Sequence, residues 1–178
     1  MSPFVADLLV KYGIPTSSRS CYLSVLWNGK DLALNTTRED EEGDPLEAVP
    51  LSDFDLLHEI AHYVVASPVE REFPEFGMGI AFIHGAAGWD WSRLKGRERE
   101  LAEESSKGVL TKEEANFREY AADFLGCYWA TQMGMDVPAN YWPHVKYADE
   151  RAGEVYRALL WVVGEGLVQV GRNGVGGR

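Results

Sequence analysis

Residues 56–65 read Leu56-Leu57-His58-Glu59-Ile60-Ala61-His62-Tyr63-Val64-Val65. On an α-helix, residues four apart lie on one face, so His58 and His62 can aim imidazole nitrogens at a single ion. Glu59 sits one residue round, close enough to take a proton from a water on that ion. Zinc lowers the pKa of such a water toward neutrality, so a carboxylate can complete its deprotonation. The flanking residues and the two inner residues are uncharged, as a helix buried on its other sides requires. Two of the four histidines in the chain fall in this one motif. The pattern predicts a helix over 51–67, with Ser52 and Asp55 forming a capping box and Pro68 ending it.

A metal ion needs a third protein ligand. Six residues after His62, where metzincins place a third histidine, stands Pro68, which excludes that class. A carboxylate on a second helix is the alternative, and the segment Phe117-Arg118-Glu119-Tyr120-Ala121-Ala122-Asp123-Phe124-Leu125-Gly126 offers two. Glu119 and Asp123 are four apart and share a face. The small and apolar residues around them predict a buried helix. Two buried carboxylates are costly unless they meet a cation or hydrogen-bond donors, and a zinc ion with its histidines would satisfy both.

At these residues the chain resembles the gluzincin metallopeptidases, in which HExxH is followed by a second helix carrying ExxxD. The string Arg-Glu-Tyr-Ala-Ala-Asp is similar to the zinc-ligand helix of the HtpX-like membrane-associated peptidases. That resemblance implies Glu119 as third ligand and Asp123 as the group that orients a ligand histidine through its other ring nitrogen. A second resemblance competes: Glu114-Ala115-Asn116 and the Ala-rich segment after it are similar to the second-helix motif of ImmA/IrrE-type peptidases, which would make Glu114 the ligand. A third belongs to another enzyme class. His58 to Gly77 reads HEIAHYVVASPVEREFPEFG, similar to the elongation-factor-P hydroxylase, an iron-dependent and oxygen-using family. Two histidines and one carboxylate also suit non-haem iron, so Fe2+ stands as the alternative to Zn2+.

Outward from the two metal helices the chain divides readily. Ser2 and Pro3 open a first helix whose apolar residues recur to Tyr12, and Gly13 ends it. Asn28-Gly29 between two apolar-containing runs, 21–27 and 30–35, predicts a β-hairpin. Residues 38–47 read as an exposed acidic loop. Phe76 to His84 reads as a strand, and its stretch to Ile83 suits the edge onto which zincins pair an extended peptide. Residues 92–108 form a charged insertion with a helix over 97–106. Thr111 and Glu114 make a second capping box, starting a long helix that runs to Met133 and is closed by Gly134. A last helix spans about 149–163, and a Gly-rich tail, 171–178, is expected to be flexible.

The chain has 178 residues, 46% hydrophobic and 25% charged, enough for one domain with its own core. A formal net charge of -11 disfavours nucleic acid and anionic membrane surfaces as partners. Cys21 and Cys127 form no CxxC pair and read as buried thiols in a reducing compartment. No apolar run is long enough to span a bilayer, no signal peptide is legible, and a cytoplasmic location is expected. There is no Walker glycine loop and no GxSxG elbow.

The expected fold is therefore α+β and zincin-like: one domain over 1–178, with a small antiparallel sheet and β-hairpin packed on two central metal-site helices. The expected function is zinc-dependent cleavage of peptide bonds in a peptide or protein substrate. Glu59 is the base, His58, His62 and Glu119 are the ligands, and Asp123 is an outer partner. His144, within an aromatic-rich stretch, is expected to stabilise the oxyanion, with His84, Tyr120, Tyr141 and Tyr147 as further choices. An iron-dependent protein hydroxylase, or a metal-stabilised regulatory protein without turnover, are the alternatives.

Overall fold

A computed structural model of the chain describes residues 1–18, 25–34, 38–39, 45–46, 51–78 and 108–168, with side chains at all of these except 38–39, 45–46 and 148–151. Helix α1 is Pro3–Tyr12, α2 is Asp53–Val65, α3 is Lys112–Gln132, α4 is Pro143–Lys146 and α5 is Ala148–Gly164. Strands β1 (Thr16–Ser18), β2 (Val25–Trp27) and β3 (Leu32–Leu34) form one small sheet. The fold is mixed α+β.

The helix ends follow their local chemistry. Ser52 Oγ accepts from the Asp55 N–H at 3.0 Å and starts α2, whose first turn carries the acidic residues Asp53 and Asp55 that its dipole favours. Thr111 and Glu114 make the full reciprocal capping box at the start of α3. Ser2 caps α1, and Gly13, in the left-handed region at φ 63°, ends it as a residue without a Cβ can. The backbone N–H of Ser2 also donates to both carboxylate oxygens of Asp53, at 3.0 and 3.1 Å, which fixes the start of α1 against the start of α2.

The core lies where α2 meets α3 and α3 meets α5. Leu56, Leu57 and Ile60 of α2 are fully enclosed, as are Ala121, Ala122 and Leu125 of α3. Each large aliphatic side chain so buried contributes about 1.5–3 kcal/mol. The alanines let α3 approach α2 closely, and Gly126 extends that approach. A Cβ at position 126 would lie 3.3 Å from His58 Cα. The short residues beside the ExxxD carboxylates are therefore what brings the second helix up to the first.

Several expectations change. The sheet is mixed, not antiparallel: its order is β1-β3-β2, with β1 parallel to β3 and β2 antiparallel to it. The turn after α1 causes this, because Pro15 O accepts the Leu32 N–H at 2.8 Å and sends β1 alongside β3 in the same direction. The hairpin is present, but its connection is the four residues Asn28 to Asp31. Asn28 Oδ1 accepts the N–H groups of Lys30 and Asp31 at 3.0 and 3.2 Å, an Asx turn that replaces the tight two-residue form. Within the expected acidic loop 38–47, β4 (Arg38–Glu39) pairs antiparallel with β5 (Pro45–Leu46).

The strand expected from Phe76 begins instead in a 3-10 turn, Glu75–Gly77, because Glu75 and Phe76 both have positive φ and cannot be extended there. The rest of that stretch, the charged insertion up to residue 107, Cys21, His84 and the tail 171–178 lie outside the described residues. Among the described residues no helix is long and apolar enough to cross a membrane.

Candidate metal centre

Helix α2 carries His58, Glu59 and His62, and α3 carries Glu119 and Asp123. Both sets have helical four-residue spacing, and the close α2–α3 packing turns them toward each other. His58 Nε2 and His62 Nε2 are 3.0 Å apart. Glu119 Oε2 is 3.3 Å from His62 Nε2, and Glu119 Oε1 is 4.0 Å from His58 Nε2. One ligand atom from each of the three residues falls within 4.8 Å of the others. A tetrahedral ion with ligands at about 2.0–2.1 Å holds them about 3.3 Å apart, so the donors already converge to nearly that spacing. His58, His62 and Glu119 form a group that can hold a metal ion.

Unpaired polar atoms around the group support that fit. Glu119 Oε2 is buried and has no hydrogen bond, although it lies 3.3 Å from His62 Nε2. Glu59 Oε2 and His62 Nδ1 are likewise buried and unbonded among the described residues. Buried polar atoms are ordinarily paired, and a cation facing Glu119 and a water facing Glu59 would resolve two of these three exceptions.

An outer layer holds His58 in place. Its Nδ1 lies 3.3 Å from Asp123 Oδ1, leaving Nε2 for the cluster. Asp123 Oδ2 in turn accepts from Lys146 Nζ at 2.8 Å and from the Tyr147 hydroxyl at 3.0 Å. Lys146 ends α4 and Tyr147 follows it, so this short helix completes the arrangement. On the other side, the His62 ring stacks on Phe76 with centroids 5.7 Å apart, and Phe76 stacks on Trp27 at 5.5 Å.

The electrostatics follow the geometry. Burial alone would lower the His58 pKa, but the Asp123 bond and the charges of Glu119, Asp123 and Glu59 outweigh it and raise it to about 10. Burial would raise Asp123, yet His58 and Lys146 hold it down at about 2. Glu59 is raised, first by burial and against the pull of His62 and His58. Glu119 is lowered because His62 and His58 overcome its burial. The group thus favours a positive charge at its centre, which a proton or a metal ion can supply.

Five of the expectations drawn from the residue order resolve here. Glu114 is exposed and its Oε2 accepts from both the N–H and the hydroxyl of Thr111 at 2.8 Å. It is committed to the helix cap, and Glu119, not Glu114, joins the histidines. Asp123 stands beside His58 as expected. His144 does not join them: it is exposed, and its ring packs on Trp142 at 6.2 Å. Tyr147 is engaged with Asp123, and Tyr141 is exposed, its ring edge-on to Phe54 at 5.2 Å.

Lys146 and Glu75 were missed. A lysine four residues past an aromatic pair carries no local signal. Glu75 is one acid among many, and only its burial sets it apart.

No protein-family model matches the chain, and no curated protein and no solved structure matches it either.

Proposed function

We propose that this chain is a zinc-dependent peptidase of zincin type, a gluzincin in which His58, His62 and Glu119 hold the ion and Glu59 is the general base. The observation that carries the reading is the Glu59 carboxylate. It follows His58 on the same helix, half-buried and with Oε2 enclosed and unbonded, beside three donor atoms whose spacing suits an ion. A site that served stability alone would have no use for a base there.

A bound zinc ion would polarise a substrate carbonyl and lower the pKa of the water next to it. The residues of the chain do the rest. Glu59 accepts the proton of that water and passes it to the leaving amine. Asp123, braced by Lys146 and Tyr147, keeps His58 turned so that Nε2 faces the ion. Phe76 stacked on His62 fixes the second ring. Peptide bonds as the target rest on the likeness of the two helix motifs to gluzincins, and the acidic surface argues against nucleic acid as substrate.

The test is metal content together with turnover. The purified chain should hold about one zinc, as measured by elemental analysis, and His62→Ala and Glu119→Gln should lose it. Glu59→Gln should keep zinc but abolish cleavage of a mixed peptide library followed by mass spectrometry. Iron in place of zinc, with oxygen consumed, would favour the hydroxylase reading. Absence of any metal after reconstitution would end both.

A further inference from the structure

The two metal helices run antiparallel and meet in rungs four residues apart. Glu119 lies 3.3 Å from His62, and Asp123 lies 3.3 Å from His58. One more turn along each helix brings Phe54 of α2 level with Cys127 of α3, on the faces that carry the ligands. Tyr141 joins this third rung at both of its residues. Its ring is edge-on to Phe54 at 5.2 Å, and its carbonyl accepts from the Cys127 thiol at 3.5 Å. The next residue, Trp142, sets its ring against Phe124 of α3 at 5.9 Å. Tyr141 is thus anchored through its backbone, yet the residue is 47% exposed.

The two ends of the metal group differ in access. At the His62 end, Phe76 stacks on the imidazole and Trp27 stacks on Phe76, and the His62 side chain is 3% exposed. The His58 side chain keeps 22%. The group therefore opens beside His58, and the next surface along the helices from there is the Phe54–Tyr141 pair. Phe54 is itself only partly buried.

A helix turn advances about 5.4 Å, and an extended peptide about 3.3 Å per residue. A peptide whose carbonyl sits at the ion thus reaches Phe54 and Tyr141 within two residues of that carbonyl. The pair offers ring edges and faces and no charge. It suits another ring, since aromatic groups favour edge-to-face and offset contacts with centroids about 4.5–7 Å apart.

We propose that Phe54 and Tyr141 form a specificity subsite of the metal centre, which takes an aromatic side chain of a peptide substrate within two residues of the bond cleaved. The proposal rests on the peptidase reading above. Neither residue belongs to the ligand group, and neither handles the proton that Glu59 moves. They select the substrate, not the reaction.

The test begins with a mixed peptide library, digested by the zinc-loaded full chain and read by mass spectrometry. Cut sites should be enriched in Phe, Tyr or Trp at one position within two residues of the cleaved bond. A peptide with that aromatic residue is then compared with its Ala counterpart. Wild type should prefer the first by about ten- to a hundredfold in kcat/KM. Tyr141→Ala should keep its zinc and lose most of that preference, whereas Tyr156→Ala, an exposed aromatic on α5, should retain it. Binding without turnover is read by calorimetric titration of both peptides into Glu59→Gln, alone and combined with Tyr141→Ala. The aromatic peptide should bind about tenfold more tightly only where Tyr141 is present. If Tyr141→Ala does not fold by circular dichroism, Tyr141→Gln, of similar reach but without a ring, takes its place. Cleavage without aromatic enrichment would overturn the subsite and leave the peptidase reading standing. So would a preference that loss of the Tyr141 ring does not change, or one that falls equally in Tyr156→Ala. No cleavage of any peptide would overturn the peptidase reading itself, and this proposal with it.

Discussion

Glu70 and Glu75 sit on the same short loop, and both are buried, but their surroundings differ completely. Glu70 is saturated. Its Oε2 accepts the Ser67 N–H at 2.6 Å, and its Oε1 accepts from Arg118 at 2.9 and 3.3 Å. Arg118, one residue before Glu119 on α3, lies over the Trp161 ring of α5 at 5.7 Å. Glu70 is therefore a clamp that joins the loop, α3 and α5. Glu75 carries an unbonded oxygen and three charged neighbours of the metal group. A buried acid with all its partners within the chain is explained by the fold, whereas one with an unbonded oxygen bears the full cost of its burial.

The contrast can be broken most forcefully at the clamp. Arg118→Ala leaves Glu70 buried beside an empty place, and loss of a buried pair's partner costs about 3–5 kcal/mol. The guanidinium retains 22% exposure, so about 2–3 kcal/mol is expected here, read as a lower urea midpoint. Glu75→Gln replaces a buried carboxyl whose Oε1 has no bond to lose, and should leave the urea midpoint unchanged or higher. Equal losses at the two positions would erase the distinction.

The packing that serves the site comes next. Gly126→Val forces a branched side chain into the 3.3 Å approach to His58, and such overpacking costs about 1–3 kcal/mol. It should also weaken zinc binding, because it moves Glu119 away from the histidines. Calorimetric zinc titration beside a thermal melt reads both effects.

Acid should reach the site side in a defined window. In the metal-free chain Asp123 is depressed to about 2 from an ordinary 3.8. Its stabilisation, about 2 kcal/mol, is present above pH 4 and is lost as pH falls through 2. The partner histidine works the other way: His58, raised from 6.5 to about 10, contributes fully below pH 6.5 and its share fades as pH rises through 10. The two shifts describe largely one interaction and do not add. Urea midpoints of EDTA-treated protein should therefore fall at both ends, and Asp123→Asn should flatten both. Smallest is Tyr147→Phe. It removes one of the two donors to Asp123 Oδ2 and should cost about 1 kcal/mol in the same urea series, with a weakening of zinc affinity of about tenfold.

Much of this molecule was legible in its residue order because the signals are local. Helix caps at Ser2 and Thr111 act within four residues. The HExxH and ExxxD spacings are properties of a single helix turn, and so His58, His62, Glu119 and Asp123 could be named before any packing was known. What failed was local in appearance only. The Asn-Gly pair marked the hairpin, but the Asn28 side chain took over its turn. Phe76 to His84 looked like a strand by composition, while Glu75 and Phe76 were held in left-handed conformations by bonds from residues 27, 28, 109 and 110. The pairing of β1 with β3 depends on where α1 delivers the chain, and no run of three residues carries that information.

The sequence by itself determined where α1, α2 and α3 start and which faces of α2 and α3 bear imidazole and carboxylate, because these depend on backbone capping and the 3.6-residue repeat. Only the tertiary structure decided that Glu119 rather than Glu114 meets the histidines. It also decided that Lys146 and Tyr147 brace Asp123, that His144 stands apart, and that Glu75 turns inward unpaired. Those outcomes are distances between side chains far apart along the chain, set by how closely Gly126 and the alanines of α3 let one helix approach the other.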